Sequence, residues 1–344
     1  MTTSTIKDVA REAGVSVGSV SRVINGLAVS DTMKRKVDAA MAKLGYQPSG
    51  LARSLRTRST RAIGFLVTDV SNPLYGAIIN AVASRLRSRG LMLMLASFGA
   101  DQPQSEMEAI EEFKRRRVDG LILAPGSEVS APLVSAIEHF GAPVAVIGGD
   151  FPAHIPAVAT NFRSGVRKAT RYLLELGHQR IALLTPLVKL WPGRERIAGF
   201  REAFEKAGLP RDNAIVRPQW QGLDAAAEVS SLLTQEQPPT ALIVLGTRIL
   251  AGTLRAVREQ HRSIPDDLSL ISIGDSEWTL VHEPPITTLK WNAEEVAFGL
   301  VNLLLAQMEG RPPEGESNRI AVHTDLVLRE SCAAPPRSEP ERRE

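Results

Sequence analysis

The sequence predicts an N-terminal all-α helix-turn-helix head followed by an α/β body of two doubly wound lobes. Between Thr5 and Leu44, apolar residues recur at i, i+3, i+4 and i+7, the pattern of helices that each bury one face. From Ala62 the pattern changes to short unbroken apolar runs alternating with amphipathic segments. That is how parallel strands covered by helices read. The alternation restarts after about residue 160, which makes two sets and hence two lobes. A chain of 344 residues also exceeds one domain of ~100–200 residues.

Ile6, Val9, Ala10 and Ala13 form one helical face. Thr5, with Asp8 three residues on, supplies the start signal. Gly14 permits a sharp turn because it has no Cβ. Ser16 caps a second helix that buries Val20, Val23 and Ile24. Its outer face is small, polar and basic: Val17, Gly18, Ser19, Ser21, Arg22 and Asn25. Such a helix fits the major groove of DNA. After a loop from Gly26 to Ser30, a third helix carries Val37, Ala40, Met41 and Leu44, and Gly45 and Pro48 end it. The head is therefore placed at 1–48.

Residues 49–61 form a basic linker with few apolar residues. It reads either as a flexible tether or as a hinge helix aligning Leu51, Ala52 and Leu55, which would push an apolar wedge between base pairs. The body is placed at 62–332. Its first set has strands at Ala62–Thr68, Leu91–Leu95, Gly120–Ala124 and Val144–Ile147, with helices at Leu74–Arg89, Glu106–Arg116 and Pro132–Phe140. The second set has helices at Arg163–Leu176, Glu195–Ala207, Ala225–Thr234 and Leu250–Gln260. Its strands lie at Ile181–Leu184, near Ile215, at Ala241–Leu245 and at Leu268–Ile273. Thr287–Lys290 reads as a crossing segment, Glu294–Glu309 as a helix and 319–329 as one final strand. The Pro- and charge-rich stretch 333–344 reads as a disordered tail. Ligands of doubly wound sheets bind beyond the carboxyl ends of the strands, which places a site between the lobes.

Charge and composition narrow the function. Residues 1–61 hold eleven Lys/Arg against four acids, so the head and linker carry +7 and the remainder −4. A basic head on a mildly acidic body is the footprint of a phosphate-backbone binder. No run approaches the ~20 apolar residues of a membrane span, and the polar start runs straight into a capped helix rather than a secretory signal. The single cysteine, Cys332, excludes a disulfide framework. Together these point to a cytoplasmic protein with no membrane partner. Glycine-rich nucleotide loops, a nucleophile elbow and a paired-histidine zinc motif are all missing. His178, in Leu-Gly-His-Gln-Arg, reads as a structural hydrogen bonder. Neither an enzyme, a metal site nor a cofactor is implied. An exported solute-binding protein would share the two lobes but not the head.

Three stretches resemble the lactose-repressor (LacI/GalR) family of bacterial transcription regulators. The first is Ile6-Lys-Asp-Val-Ala-Arg-Glu-Ala-Gly-Val-Ser with Val20-Ser-Arg-Val-Ile-Asn25. The second is Leu44-Gly-Tyr-Gln-Pro48 with Leu51-Ala-Arg-Ser-Leu55. The third is scattered through the body, as in Asn72-Pro-Leu-Tyr75, Leu176-Gly-His-Gln-Arg-Ile-Ala182 and Arg196-Ile-Ala-Gly-Phe200. The resemblance implies a periplasmic-binding-protein-like body, and a homodimer on a pseudo-palindromic double-stranded DNA operator. It places Val17, Gly18 and Arg22 at base-reading positions, with Arg22 suited to guanine. Thr5, Ser16, Ser21 and Asn25 fall at phosphate-holding positions, and Leu55 matches the minor-groove leucine.

The resemblance also places Asn72, Tyr75, Arg196 and Trp220 against a small-molecule effector. Arg196 can clamp a carboxylate or several hydroxyls, and Trp220 offers a flat face to a sugar ring. The carboxylates expected in such a cleft are replaced or displaced at Gly148-Gly149, Gly246-Thr247-Arg248 and Gly274-Asp275. Asp150 and Asp275 can substitute by one-residue shifts, while Arg248 and Lys290 add positive charge. The expectation is an anionic effector, a sugar acid or phosphosugar, whose binding changes operator affinity. The alternatives are a regulator without small-molecule control, and a sugar-binding protein or enzyme with no role at DNA.

Overall fold

The structure is a computed structural model. It describes residues 4–24, 26–47, 59–70, 72–99, 102–186, 188–219, 225–246, 248–311 and 315–336. The chain divides into two compact units, Met1–Arg61 and Ala62–Glu344.

The first unit holds α1 (Ile6–Ala13), α2 (Val17–Ile24) and α3 (Asp31–Leu44). The Thr5 amide and hydroxyl both donate to the Asp8 carboxylate, at 3.0 and 2.7 Å. The hydroxyl bond first, then the amide bond, hold the Asp8 carboxyl below the usual range. Gly14 ends α1 at φ +66°, a conformation that a Cβ disfavours. The Ser16 hydroxyl accepts from the Ser19 amide at 3.1 Å, and that of Ser30 from the Met33 amide at 3.3 Å. Each oxygen satisfies an amide that the helix leaves unpaired. Val9, Ala10, Ala13, Val20, Val37 and Ala40 make the core. A Glu12–Lys43 ion pair at 2.7 Å joins α1 to α3.

The second unit begins with β1 (Ala62–Val67), α4 (Pro73–Ser88), β2 (Met92–Ser97), α5 (Pro103–Arg115), β3 (Gly120–Leu123), α6 (Ala131–Glu138), β4 (Val144–Ile147) and β5 (Ala157–Thr160). It continues with α7 (Phe162–Glu175), β6 (Ile181–Pro186), α8 (Trp191–Lys206), β7 (Ala214–Gln219), α9 (Ala226–Leu233), β8 (Ala241–Leu245) and α10 (Arg248–Glu259). The rest is β9 (Ser269–Ile273), α11 (Glu277–Val281), β10 (Thr287–Trp291), α12 (Ala293–Met308), β11 (Arg319–Val322) and β12 (Thr324–Val327). Two six-stranded sheets result, ordered β11-β5-β4-β3-β1-β2 and β12-β10-β9-β8-β6-β7. Among the described residues, all pairings are parallel except β12 on β10.

The structure corrects the expected layout in four places. Strand β5, bounded by Pro156 and Asn161, is too short to stand out as an apolar run. Thr287–Trp291 is a full strand beside β9 rather than only a crossing. The single strand expected over 319–329 is two strands, split at His323 and lying in different sheets. The chain therefore passes between lobes three times, after Thr160, Trp291 and Val322. Helix α12 consequently packs on the first lobe, where Val296, Leu300 and Leu304 share a core with Ile63 and Val82. Finally, the tail is still anchored at its expected start. The Ala333 carbonyl accepts from His178 Nε2 at 2.9 Å, and its amide donates to Ser269 Oγ at 3.0 Å. Residues 337–344 lie outside the described ones.

Candidate nucleic-acid interface and effector cleft

On the head, Val17 and Gly18 open α2 and are exposed, Val17 at 42%. Arg22 is exposed near the end of the helix, and Ser21 is half-buried. Val20, on the opposite side, is fully enclosed. The helix thus turns a cationic, nearly bare face outward. Ser16 is occupied as the cap of α2, and the Thr5 hydroxyl is given to Asp8. Asn25, Leu51, Ala52 and Leu55 lie outside the described residues.

The second candidate site lies in the body, beyond the carboxyl ends of the strands. From the first lobe come Asn72 and Tyr75, at the start of α4. The Asn72 amide donates to the Asp69 carbonyl at 3.3 Å, and its carbonyl accepts from the Gly76 amide at 3.0 Å. The half-buried Tyr75 is hydrogen bonded to Thr68, and burial pushes its phenol above the ordinary range. From the second lobe comes Arg196, only 7% exposed, on α8. Its guanidinium stacks 4.4 Å from the Phe162 ring centre, and Nη1 donates to Thr185 Oγ1 at 3.3 Å. Among the described residues its Nε has no hydrogen-bond partner. Burial lowers its pKa to about 10, against the pull of Tyr75 across the cleft. Among the described residues, no carboxylate is paired with it.

The two aspartates are committed elsewhere. Asp150 makes an ion pair with Arg194 of α8, which joins one lobe to the other. Asp275 accepts from the Thr279 hydroxyl at 2.8 Å and pairs with Arg329 at 2.9 Å and Lys290 at 3.6 Å. Burial alone would raise the Asp275 carboxyl, but Thr279 and the two cations hold it below the usual range. Arg248 begins α10, and Trp220 lies outside the described residues.

Sequence reasoning missed the aromatic floor. Phe162 stands edge-on to Trp291 at 5.4 Å and tilted to Trp191 at 6.1 Å. Phe162 follows one inter-lobe passage and Trp291 precedes the next, a signal available only once those passages are known. Trp191 opens α8 four residues before the expected start at Glu195. The proline at the next position marked that start. The indole lies on Gly149, where a Cβ would stand 2.3 Å from its Nε1. What reads in sequence as a lost acid is therefore a backbone cleared for a ring. A buried acid was also missed. Glu106 accepts from the Gly126 amide at 3.2 Å and from the Ser127 hydroxyl, and burial raises its carboxyl.

A groove-fitting helical head and a two-lobed receptor body define the class: a DNA-binding regulator with a ligand-binding-type domain. Comparison with known proteins agrees. Residues 5–49 match the model of bacterial regulatory proteins of the lacI family, and residues 170–332 match the periplasmic binding protein-like domain. The HTH-type transcriptional regulator DegA of Bacillus subtilis is 31% identical, over 96% of this chain and 98% of its own. Among solved structures, the Lac repressor dimer bound to operator and the anti-inducer ONPF is 26% identical. It superposes with a TM-score of 0.85, over 97% of this chain and 100% of that one. The CelR–cellobiose complex is 28% identical, with a TM-score of 0.71, over 95% and 99%. The chain belongs to the lacI family of bacterial regulatory proteins, and it is a transcriptional regulator rather than an enzyme. No helix among the described residues is long and apolar enough to cross a membrane.

Proposed function

We propose that this regulator is a cytoplasmic repressor whose operator affinity is set by a small anionic metabolite, a sugar acid or phosphosugar, held against Arg196. One observation carries the reading: a buried guanidinium with no carboxylate partner among the described residues and an unsatisfied Nε. A buried cation is costly unless paired, and a ligand carboxylate or phosphate supplies the missing bidentate partner. Asp150 and Asp275, which would accept from neutral sugar hydroxyls, are already engaged. Tyr75 and Asn72 line the opposite wall, the Trp191 face can lie against a ring, and Trp220 and Arg248 complete the candidate set.

On the DNA side, Arg22 donates to a guanine edge, Val17 meets a thymine methyl and Gly18 reads nothing. Thr5, Ser16, Ser21 and Asn25 hold phosphates, while Leu51, Ala52 and Leu55 enter the minor groove. The working unit is a homodimer. Edge strand β2 exposes Met92 at 63%, and α11 exposes Trp278 at 68% and Val281 at 76%. Such large exposed apolar residues suit a partner surface, and the Lac repressor neighbour is a dimer. A second reading, a body without small-molecule control, draws on the Asp150–Arg194 pair and the Trp191–Gly149 contact, which already join the lobes.

Calorimetry of the full chain against neutral sugars, sugar acids and phosphosugars tests the proposal. Binding of an acid or phosphate, lost in Arg196→Gln, is expected. Tight binding of neutral sugars alone overturns it. Operator affinity unchanged by every compound favours the second reading.

A further inference from the structure

The linker-proximal edge of the body carries a strip of arginines. Strand β1 starts at Ala62, its neighbours start at Met92 and Gly120, and the Asp119 amide donates to the Ala62 carbonyl at 2.7 Å. Adjacent strands are about 4.8 Å apart. The turns holding Arg61, Arg89 and Arg117 therefore lie side by side, within roughly 10 Å. Counting Arg61, residues 87–89 and residues 111–119, seven cations stand against three carboxylates. Glu112 is shared by Arg115 and Arg116, and Glu111 pairs with Lys114. By formal charge the strip is positive, although the body as a whole is acidic.

Arginines in the last turns of α4 and α5 have an ordinary explanation, because cations suit helix carboxyl ends. That does not cover Arg61, Arg89 or Arg117. Helices α4 and α5 end in the same hydrogen-bonded turn. Gly90 and Leu91 bond back to Arg87 and Leu86; Arg117 and Val118 bond back to Lys114 and Phe113. In the first turn the left-handed position is Gly90, at φ +68°. In the second it is Arg117, at φ +52°. Arg61 is also left-handed, at φ +54°. Glycine is the easy residue there, yet both positions beside the start of β1 hold arginine.

We infer that this edge is a second DNA-contacting surface, one that binds phosphates flanking the operator without reading bases. Connectivity and charge choose the occupant. From Gln47 to Ala62 the chain spans at most about 50 Å fully extended, so the linker's length lets this edge reach the duplex on which a head is seated. Nucleic-acid backbone is the dense anionic surface within that reach. The inference rests on operator binding by the head.

The test is a salt titration of operator binding by the full chain and by the variant Arg87→Gln/Arg89→Gln/Arg117→Gly. Glycine at 117 removes the charge and suits the left-handed backbone, so the variant keeps its fold, as melting checks. The plot of log affinity against log salt should be shallower by about 0.9 for each phosphate that is no longer neutralised. Operator and unrelated duplex should weaken by the same factor, at least about tenfold at low salt. A control with the same charge change on the second lobe, Arg171→Gln/Arg201→Gln/Arg211→Gln, should keep the original slope. An unchanged slope in the first variant, or an equal change in both, overturns the inference alone. A wild-type chain that binds no duplex overturns the operator reading with it.

Discussion

Arg196 holds its place at a cost to the fold. A guanidinium enclosed without a counter-ion is destabilising, and exchanging buried charges for apolar side chains of similar volume often stabilises by roughly 1–4 kcal/mol. Arg196→Met should therefore raise the melting temperature of the ligand-free protein while abolishing anion binding. Melting curves and calorimetry on the same preparation check both halves, and a fall in both would mark Arg196 as structural. His178 gives a second residue-scale prediction. The Ala333 carbonyl can only accept, so Nε2 carries the proton and Nδ1 accepts from Thr240 at 2.8 Å. Burial pushes the His178 pKa down. The unfolded chain then takes up a proton near pH 6.5 while the folded chain does not. This contribution is whole above pH 6.5 and is lost on acidification, by at most about 1.4 kcal/mol per pH unit. The melting temperature should fall more steeply between pH 7 and 5 in the wild type than in His178→Gln. Arg196 is legible in sequence because its motif is local. The fates of Asp150 and Asp275 are not, because their partners Arg194 and Arg329 stand 44 and 54 positions away.

Helix α2 joins stability and recognition in one side chain. Ser16 caps it, and the same hydroxyl stands at a proposed phosphate position. The two roles separate by substitution. Ser16→Ala removes both and should cost the head about 1 kcal/mol. Aspartate caps as well as serine, so Ser16→Asp should keep the head's melting temperature while its charge repels the backbone. Operator binding should then weaken in Ser16→Asp without loss of helix content, as fluorescence anisotropy and circular dichroism would report. If Ser16→Asp binds as the wild type does, the phosphate role is wrong. Elements with strong local signals are those the sequence reveals: all three head helices, with their caps, and the fully buried strands β1, β3, β6, β8 and β9. Elements defined by distant pairing are hidden. Strand β5 is four residues long, and β11 and β12 separate at His323 only because β5 and β10 each need a neighbour in a different sheet.

At the scale of the molecule, three passages between the lobes leave relative tilt as their natural motion, and among the described residues two contacts oppose it at the rim. One is the Asp150–Arg194 ion pair; the other is the Trp191 indole on Gly149. Their strengths differ. Asp150 and Arg194 are partly exposed, with side chains 27% and 47% accessible, and such pairs contribute about 0.2–1 kcal/mol. Asp150→Asn should therefore shift the balance of lobe arrangements by less than about tenfold. A side chain at 149 acts by volume instead. Its Cβ would stand only 2.3 Å from the Trp191 Nε1, and overpacking of that kind costs about 1–3 kcal/mol. Gly149→Val should thus disfavour the joined arrangement more strongly than Asp150→Asn. If lobe arrangement governs the head, the ranking must reappear at DNA: the change in operator affinity should be larger for Gly149→Val, accompanied by a larger radius of gyration in solution scattering. A ligand that favours the joined lobes can restore affinity only as far as its differential binding to the two arrangements allows. An expanded Gly149→Val protein that binds its operator as the wild type does would show that the cleft and the head are uncoupled in this chain.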